Sequence, residues 1–170
     1  LIWVLCGLQF GVSYALAAAM LLTAVLVVLT AIDLDHQLLP DSLTLPLVWV
    51  GLLLNIDNTF VSLESAVLGA AFGYLCLWAV FWLFKIATGK EGMGHGDFKL
   101  LAALGAWFGL AALPTIVLLS SAVGAFLGVA LIVTGKQDRE TPMPFGPFLA
   151  GAGLVHLFYP NVLLTWVTGA

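Results

Sequence analysis

Long apolar runs separated by short polar breaks divide this chain, and the runs set its architecture. Read against turn signals, they predict a helix end at 1–9, then helices over about Val12 to Ile32, Leu43 to Asn55, Ser65 to Phe84, Phe98 to Leu110 and Thr115 to Val133. A last helix is predicted from about Phe148 onward, broken at Pro160. The breaks are "HQLLPD", "NIDNTFVSLES", the glycine-rich "KEGMGHGD", an "ALP" turn and "TGKQDRETPMPFGP". Several runs approach the ~20 residues that a bilayer demands, and they do not alternate as barrel strands would. The expected fold is therefore an all-α, polytopic membrane bundle of about six to seven transmembrane helices. The third and fifth runs are short for a full span, which suits segments lying partly inside the bundle. There is no internal repeat.

Composition agrees. Of 170 residues, 62% are hydrophobic and 8% charged, against about a quarter charged in a soluble domain. Cys6 and Cys76 lie inside apolar runs with no CxxC or Cys/His pattern, and read as packed thiols rather than a metal or disulfide pair. The sequence opens in mid-helix ("LIWVLCGLQF") with no charged leader. The expectation is a single membrane domain over residues 1–170, taken from a larger chain that has further segments in front.

Charge fixes an orientation. The basic residues are Lys85, Lys90, Lys99, Lys136 and Arg139, all in or beside the 85–99 and 135–145 loops. Two helices separate those loops, so they share a side, which the positive-inside rule makes cytoplasmic. Counting one helix back puts "DLDHQLLPD" on that side too. Most acids have plain explanations. Asp57 and Glu64 fall in an outer loop, and Glu91, Asp138 and Glu140 sit among basic residues. Asp41 follows Pro40 and is placed to cap the third helix, with Ser42 as the alternative. Asp35 is expected to be hydrated at headgroup level.

Asp33 and Asp97 are different. Asp33 ends the apolar run "LAAAMLLTAVLVVLTAID", and Asp97 opens the fifth helix behind Gly94-His95-Gly96. Both fall at cytoplasmic helix ends, at similar depth. An N-cap role for Asp97 and a snorkelling helix-end acid for Asp33 are the bland alternatives. Those alternatives do not explain two acids arriving at one depth, where ionisable groups mark functional sites by default. Gly94 and Gly96 lack a Cβ, which permits positive φ and the close approach of another chain beside the carboxylate. GxGD alone is a weak motif.

Three blocks carry a resemblance: "AIDLDHQLLPDSLTLPLVWVGLLLN" (31–55), "GMGHGDFKLLAALGAWFG" (92–109) and "PFGPFLAGAG" (144–153). In this order they closely resemble the signature blocks of bacterial type IV prepilin peptidases, members of the GxGD aspartyl proteases. The resemblance covers essentially the whole chain. It implies Asp33 and Asp97 as catalytic aspartates, with Asp35 and Asp41 not carried over. It also implies an endopeptidase in the bacterial inner membrane that cuts the leader of type IV prepilins or type II secretion pseudopilins at the cytoplasmic face. Family members usually carry, ahead of this region, a zinc-binding domain with two CxxC pairs, which this sequence does not contain. Many also N-methylate the new amino terminus. The resemblance thus implies no cofactor for proteolysis, S-adenosylmethionine for methylation in a full-length protein, and prepilin or pseudopilin and membrane lipid as partners, with no nucleic acid.

The chemistry fits the residues independently. Two adjacent carboxylates that share one proton supply a base for water and an acid for the carbonyl. Gly94, His95 and Gly96, with Pro144, Phe145, Gly146 and Pro147 at the mouth, are the expected substrate contacts. His95 either fills the turn or tunes Asp97. Lys99 reads as a snorkelling anchor or as charge support for the pair, and His36 as solvated in its loop. His156 reads as an interhelical hydrogen-bond donor and the tryptophans near helix ends as interfacial anchors. A transporter is the rival class, but a proton relay would place acids near the midplane in related positions of two repeats.

Overall fold

The computed structural model describes residues 2–89, 93–134 and 144–160. Among them are seven α-helices and no strand: α1 Ile2–Phe10, α2 Tyr14–His36, α3 Asp41–Leu54, α4 Leu63–Thr88, α5 His95–Phe108, α6 Leu113–Val133 and α7 Gly146–Phe158. Short 3₁₀ turns at Asn55–Asp57 and Leu110–Ala112 lead out of α3 and into α6. The segments around Lys90, Glu91, Lys136, Asp138, Arg139 and Glu140 lie outside the described residues.

Three segments are long and apolar enough to cross a membrane: Tyr14–His36, Leu63–Thr88 and Leu110–Val133. Their outward faces carry Val67, Phe72, Leu75, Phe126 and Val129, all exposed. Water would not tolerate such a surface, whereas lipid does. This is a helical membrane protein.

The short fifth helix is the buried one. From Asp97 to Phe108 every side chain of α5 except Lys99 is buried, as expected of a helix apolar all round. It fits inside because its neighbours give up side chains. Gly69 of α4 lies directly on the Gly105 backbone, and a Cβ on Gly73 would fall 2.7 Å from Leu101 O. On the other flank a Cβ on Gly51 of α3 would fall 2.5 Å from the Trp107 ring. Without a hydrophobic driving force inside lipid, such small-residue contacts let helix backbones pack closely.

Helix ends depart from the apolar runs because caps decide them. α2 continues one turn past Ile32, through Asp33 and Asp35, until Gln37 adopts a left-handed conformation and returns its N–H to Asp33 O. α4 runs on to Gly89, also left-handed, whose N–H bonds Lys85 O. α5 starts at His95 with Gly94 as its N-cap, so Asp97 stands within the first turn and not at the cap itself.

The end of the bundle remote from Asp33 is fastened by polar bonds. Asn55, fully buried, donates to Ala106 O and Trp107 O and accepts the Phe60 and Val61 N–H groups. Trp107 corrects the interfacial expectation: it is fully buried and donates to Leu47 O at 2.9 Å. Trp49 and Trp78 are exposed. His156 also departs from expectation. Its ring packs on Phe108, and its buried Nδ1 makes no hydrogen bond. Cys6 is buried, while Cys76 is exposed on α4.

Candidate active site

Three helix ends converge at the other end of the bundle. The last turns of α2 bring Asp33, the first turn of α5 brings Asp97, and the first residue of α7 brings Gly146. Asp33 and Asp97 are only 5% and 6% exposed. Their carboxylates are close enough to interact through space, and both line one cavity of about 540 Å³. Since Asp35 is exposed on the same helix, two residues of helical rotation separate the buried acid from the hydrated one.

Backbone lies beside each acid. Asp33 Oδ2 accepts the Gly146 N–H at 3.0 Å. That N–H is one of the donors that a helix start leaves unpaired, so Asp33 closes the front of α7. Pro147 at the second position needs no such partner. The Asp97 carboxylate lies beside Gly94, the N-cap of its own helix.

At two of these places a Cβ would collide with a neighbour unless that neighbour moved. A Cβ on Gly146 would fall 2.6 Å from Asp33 Oδ2, and one on Gly96 would fall 2.7 Å from Leu39 Cβ. The expected positive φ is found at neither Gly94 nor Gly96. The room freed at Gly96 is occupied by Leu39, so it does not stand open for a peptide.

Gly94, His95, Gly96, Pro144 and Phe145 line the cavity with the two acids. Gly146 stands behind Asp33, and Pro147 is outside the lining. His95 packs its ring against Phe81 and Phe98 at centroid distances of 5.0 and 5.4 Å. Asp41 is the first residue of α3, but its side chain makes no capping bond. It forms an ion pair with Lys99 at the cavity's edge, because a carboxylate in α3's first turn faces a cation from α5. His36 is exposed at the end of α2.

Sequence reasoning passed over Gln37, Leu38, Leu39 and Met93, which also line the cavity. Their proximity in sequence to Asp33 and Asp97 was the available signal.

A helical membrane bundle with two buried carboxylates facing one cavity at one end is the class that these features define. The chain belongs to the Type IV leader peptidase family, whose model matches residues 20–129. It is 60% identical over 149 residues to the prepilin leader peptidase/N-methyltransferase of Aeromonas hydrophila, covering 88% of this chain and 51% of that protein. The proteins of the same name from Stutzerimonas stutzeri and Pseudomonas aeruginosa are 57% and 56% identical over 151 residues, covering 89% of this chain and 52% of each. The chain thus spans about half the length of these relatives. No solved structure matches it.

Proposed function

We propose that residues 1–170 form the membrane-embedded peptidase domain of a prepilin leader peptidase, an aspartic endopeptidase that removes the leader of type IV prepilins or type II secretion pseudopilins. The observation that carries this reading is the pair of buried carboxylates, Asp33 and Asp97, on one cavity.

The pair holds one proton, since like charges this close do not both ionise readily. Asp33 Oδ2 already accepts the Gly146 N–H, which orients that carboxylate and leaves Oδ1 to take a proton from water. The dyad titrates as a unit; with the shared proton on Asp97, that carboxyl donates to the scissile carbonyl oxygen. Water oxygen attacks the carbonyl carbon as its proton passes to Asp33. The tetrahedral species then collapses: the amine leaves with the proton from Asp33, and Asp97 recovers its own from the hydroxyl. Proteolysis needs no cofactor in this scheme.

Location supports the substrate class. Lys85 and Lys99 stand at the acid-bearing end, while Asp57 and Glu64 are exposed at the opposite one. By the positive-inside rule the cavity opens at the cytoplasmic face of the inner membrane. A substrate whose leader remains in the cytoplasm and whose following segment is apolar would meet it there, with lipid as the other partner.

The relatives' name joins peptidase to N-methyltransferase, and for the full-length protein we assign the methyl donor as S-adenosylmethionine. The cavity's acids suit a sulfonium cation, while two further cavities among the described residues, beside Leu45 and beside Leu5, are lined mostly by apolar side chains. No step above runs through that donor.

The test is cleavage of a synthetic prepilin by purified protein in lipid. Asp33→Asn and Asp97→Asn each abolish it if the reading holds, and cleavage surviving either change removes that residue from the mechanism.

A further inference from the structure

The link between α2 and α3, residues 37–40, contains one buried side chain, Leu39, at 7% exposed, next to Leu38 at 59%. Nothing in hydropathy separates these two leucines. Their surroundings do. Leu39 presses on Gly96 in the first turn of α5, where a Cβ would fall 2.7 Å from Leu39 Cβ and 3.3 Å from its carbonyl oxygen. Its other end reaches Gly146 in the first turn of α7, where a Cβ would fall 3.1 Å from Leu39 Cδ1. Each of those glycines is coupled to one of the acids. Gly96 immediately precedes Asp97, and Gly146 donates its N–H to Asp33.

We propose that Leu39 is a positioning residue: a spacer wedged between Gly96 and Gly146 that sets the gap between the Asp97 and Asp33 carboxylates. The inference deepens the peptidase reading and rests on it for its kinetic consequences. The physical basis is that close-packed interiors do not stretch. A side chain filling the space between two backbones fixes their separation to within a few tenths of an ångström, and both glycines leave Leu39 no slack. A water held between two carboxylates tolerates little change in their separation, and small misplacements cost rate steeply. Leu39 also explains why residue 96 is glycine when its φ is helical and any residue could adopt it. The spacer occupies the place of the missing Cβ.

The experiment has two readouts on the protein in lipid. With a synthetic prepilin, Leu39→Ala lowers kcat by about tenfold or more at a KM within about twofold, while Leu39→Met, of similar volume, keeps kcat within about threefold. Separately, cysteines replace both acids (Asp33→Cys with Asp97→Cys) after Cys6→Ala and Cys76→Ser. Thiol cross-linkers of graded length then measure the gap without any need for activity. One reagent length is favoured when residue 39 is Leu or Met, and the preference broadens or shifts with Leu39→Ala. If the alanine variant does not fold, Leu39→Val, one methylene smaller, carries both measurements. Wild-type kcat in the smaller variant, a loss confined to KM, or an unchanged cross-linking preference would each overturn the spacer. The peptidase reading fails by a different result, cleavage that persists without Asp33 or Asp97, and the cross-linking arm does not depend on it.

Discussion

Glycine brings backbones together both where α4 crosses α5 and where α5 and α7 begin, yet the two contacts have little else in common. At the crossing, Gly69 meets the Gly105 backbone and Gly73 meets Leu101 O, with hydrocarbon around them. At the helix starts, Gly146 meets the Asp33 carboxylate and Gly96 meets Leu39, with a polar cavity alongside. The absence of a Cβ gives tight packing in the first case and places an N–H on an acid in the second. A change at the crossing should therefore act on folding, and a change at the helix starts on rate.

Four predictions break or sharpen this contrast. The largest effect belongs to the acids: Asp97→Asn reduces prepilin cleavage by about 10³-fold or more, while its thermal unfolding in detergent stays near that of the unchanged protein. Next comes the crossing. Gly105→Val inserts bulk against the Gly69 backbone and destabilises by about 3 kcal/mol or more, seen as early unfolding or loss of membrane-inserted protein. Gly146→Ala comes third. Its methyl group would displace the Asp33 carboxylate, lowering kcat about 10- to 100-fold with unfolding shifted far less than in Gly105→Val. If Gly146→Ala unfolded as readily as Gly105→Val, the division between the two contacts would collapse. The smallest effect is at Lys99→Ala, which removes the exposed ion pair to Asp41. Such pairs are worth about 0–1 kcal/mol, so both melting and cleavage rate change little; a large drop in rate would make Lys99 part of the chemistry.

How much of this was readable from sequence depends on what each residue announces. The helices follow the apolar runs; of the two short runs expected to lie partly inside the bundle, the fifth is buried on nearly every side, whereas the third keeps Leu45, Trp49 and Leu53 exposed. Asp33 and Asp97 were visible because carboxylates are rare in such surroundings. The bond that holds Asp33 was not, because its donor is a main-chain N–H and every non-proline residue has one. Leu39 was invisible for a similar reason: its composition is that of its exposed neighbour, and only the fold distinguishes them. Gly94 and Gly96 drew attention for conformational freedom and for the room they leave beside the acid, but at Gly96 that room belongs to Leu39 and not to an arriving chain. Trp107 sits near a helix end, as interfacial tryptophans do, and only the Leu47 carbonyl within reach of its indole shows that it belongs inside.

The Asn55 bonds have a mechanical consequence. They tie the far ends of α3 and α5 at Ala106 and Trp107, so α5 is anchored at its C-terminus by side-chain bonds and at its N-terminus by the packing of Leu39 on Gly96. Fourteen residues of helix make a lever about 20 Å long. A swing of about 6° around that anchor would move the Asp97 end by about 2 Å and leave Phe108 almost still. A tilt of that size would have to push Leu39 out from between Gly96 and Gly146, so a rod pinned at both ends keeps the two acids in register.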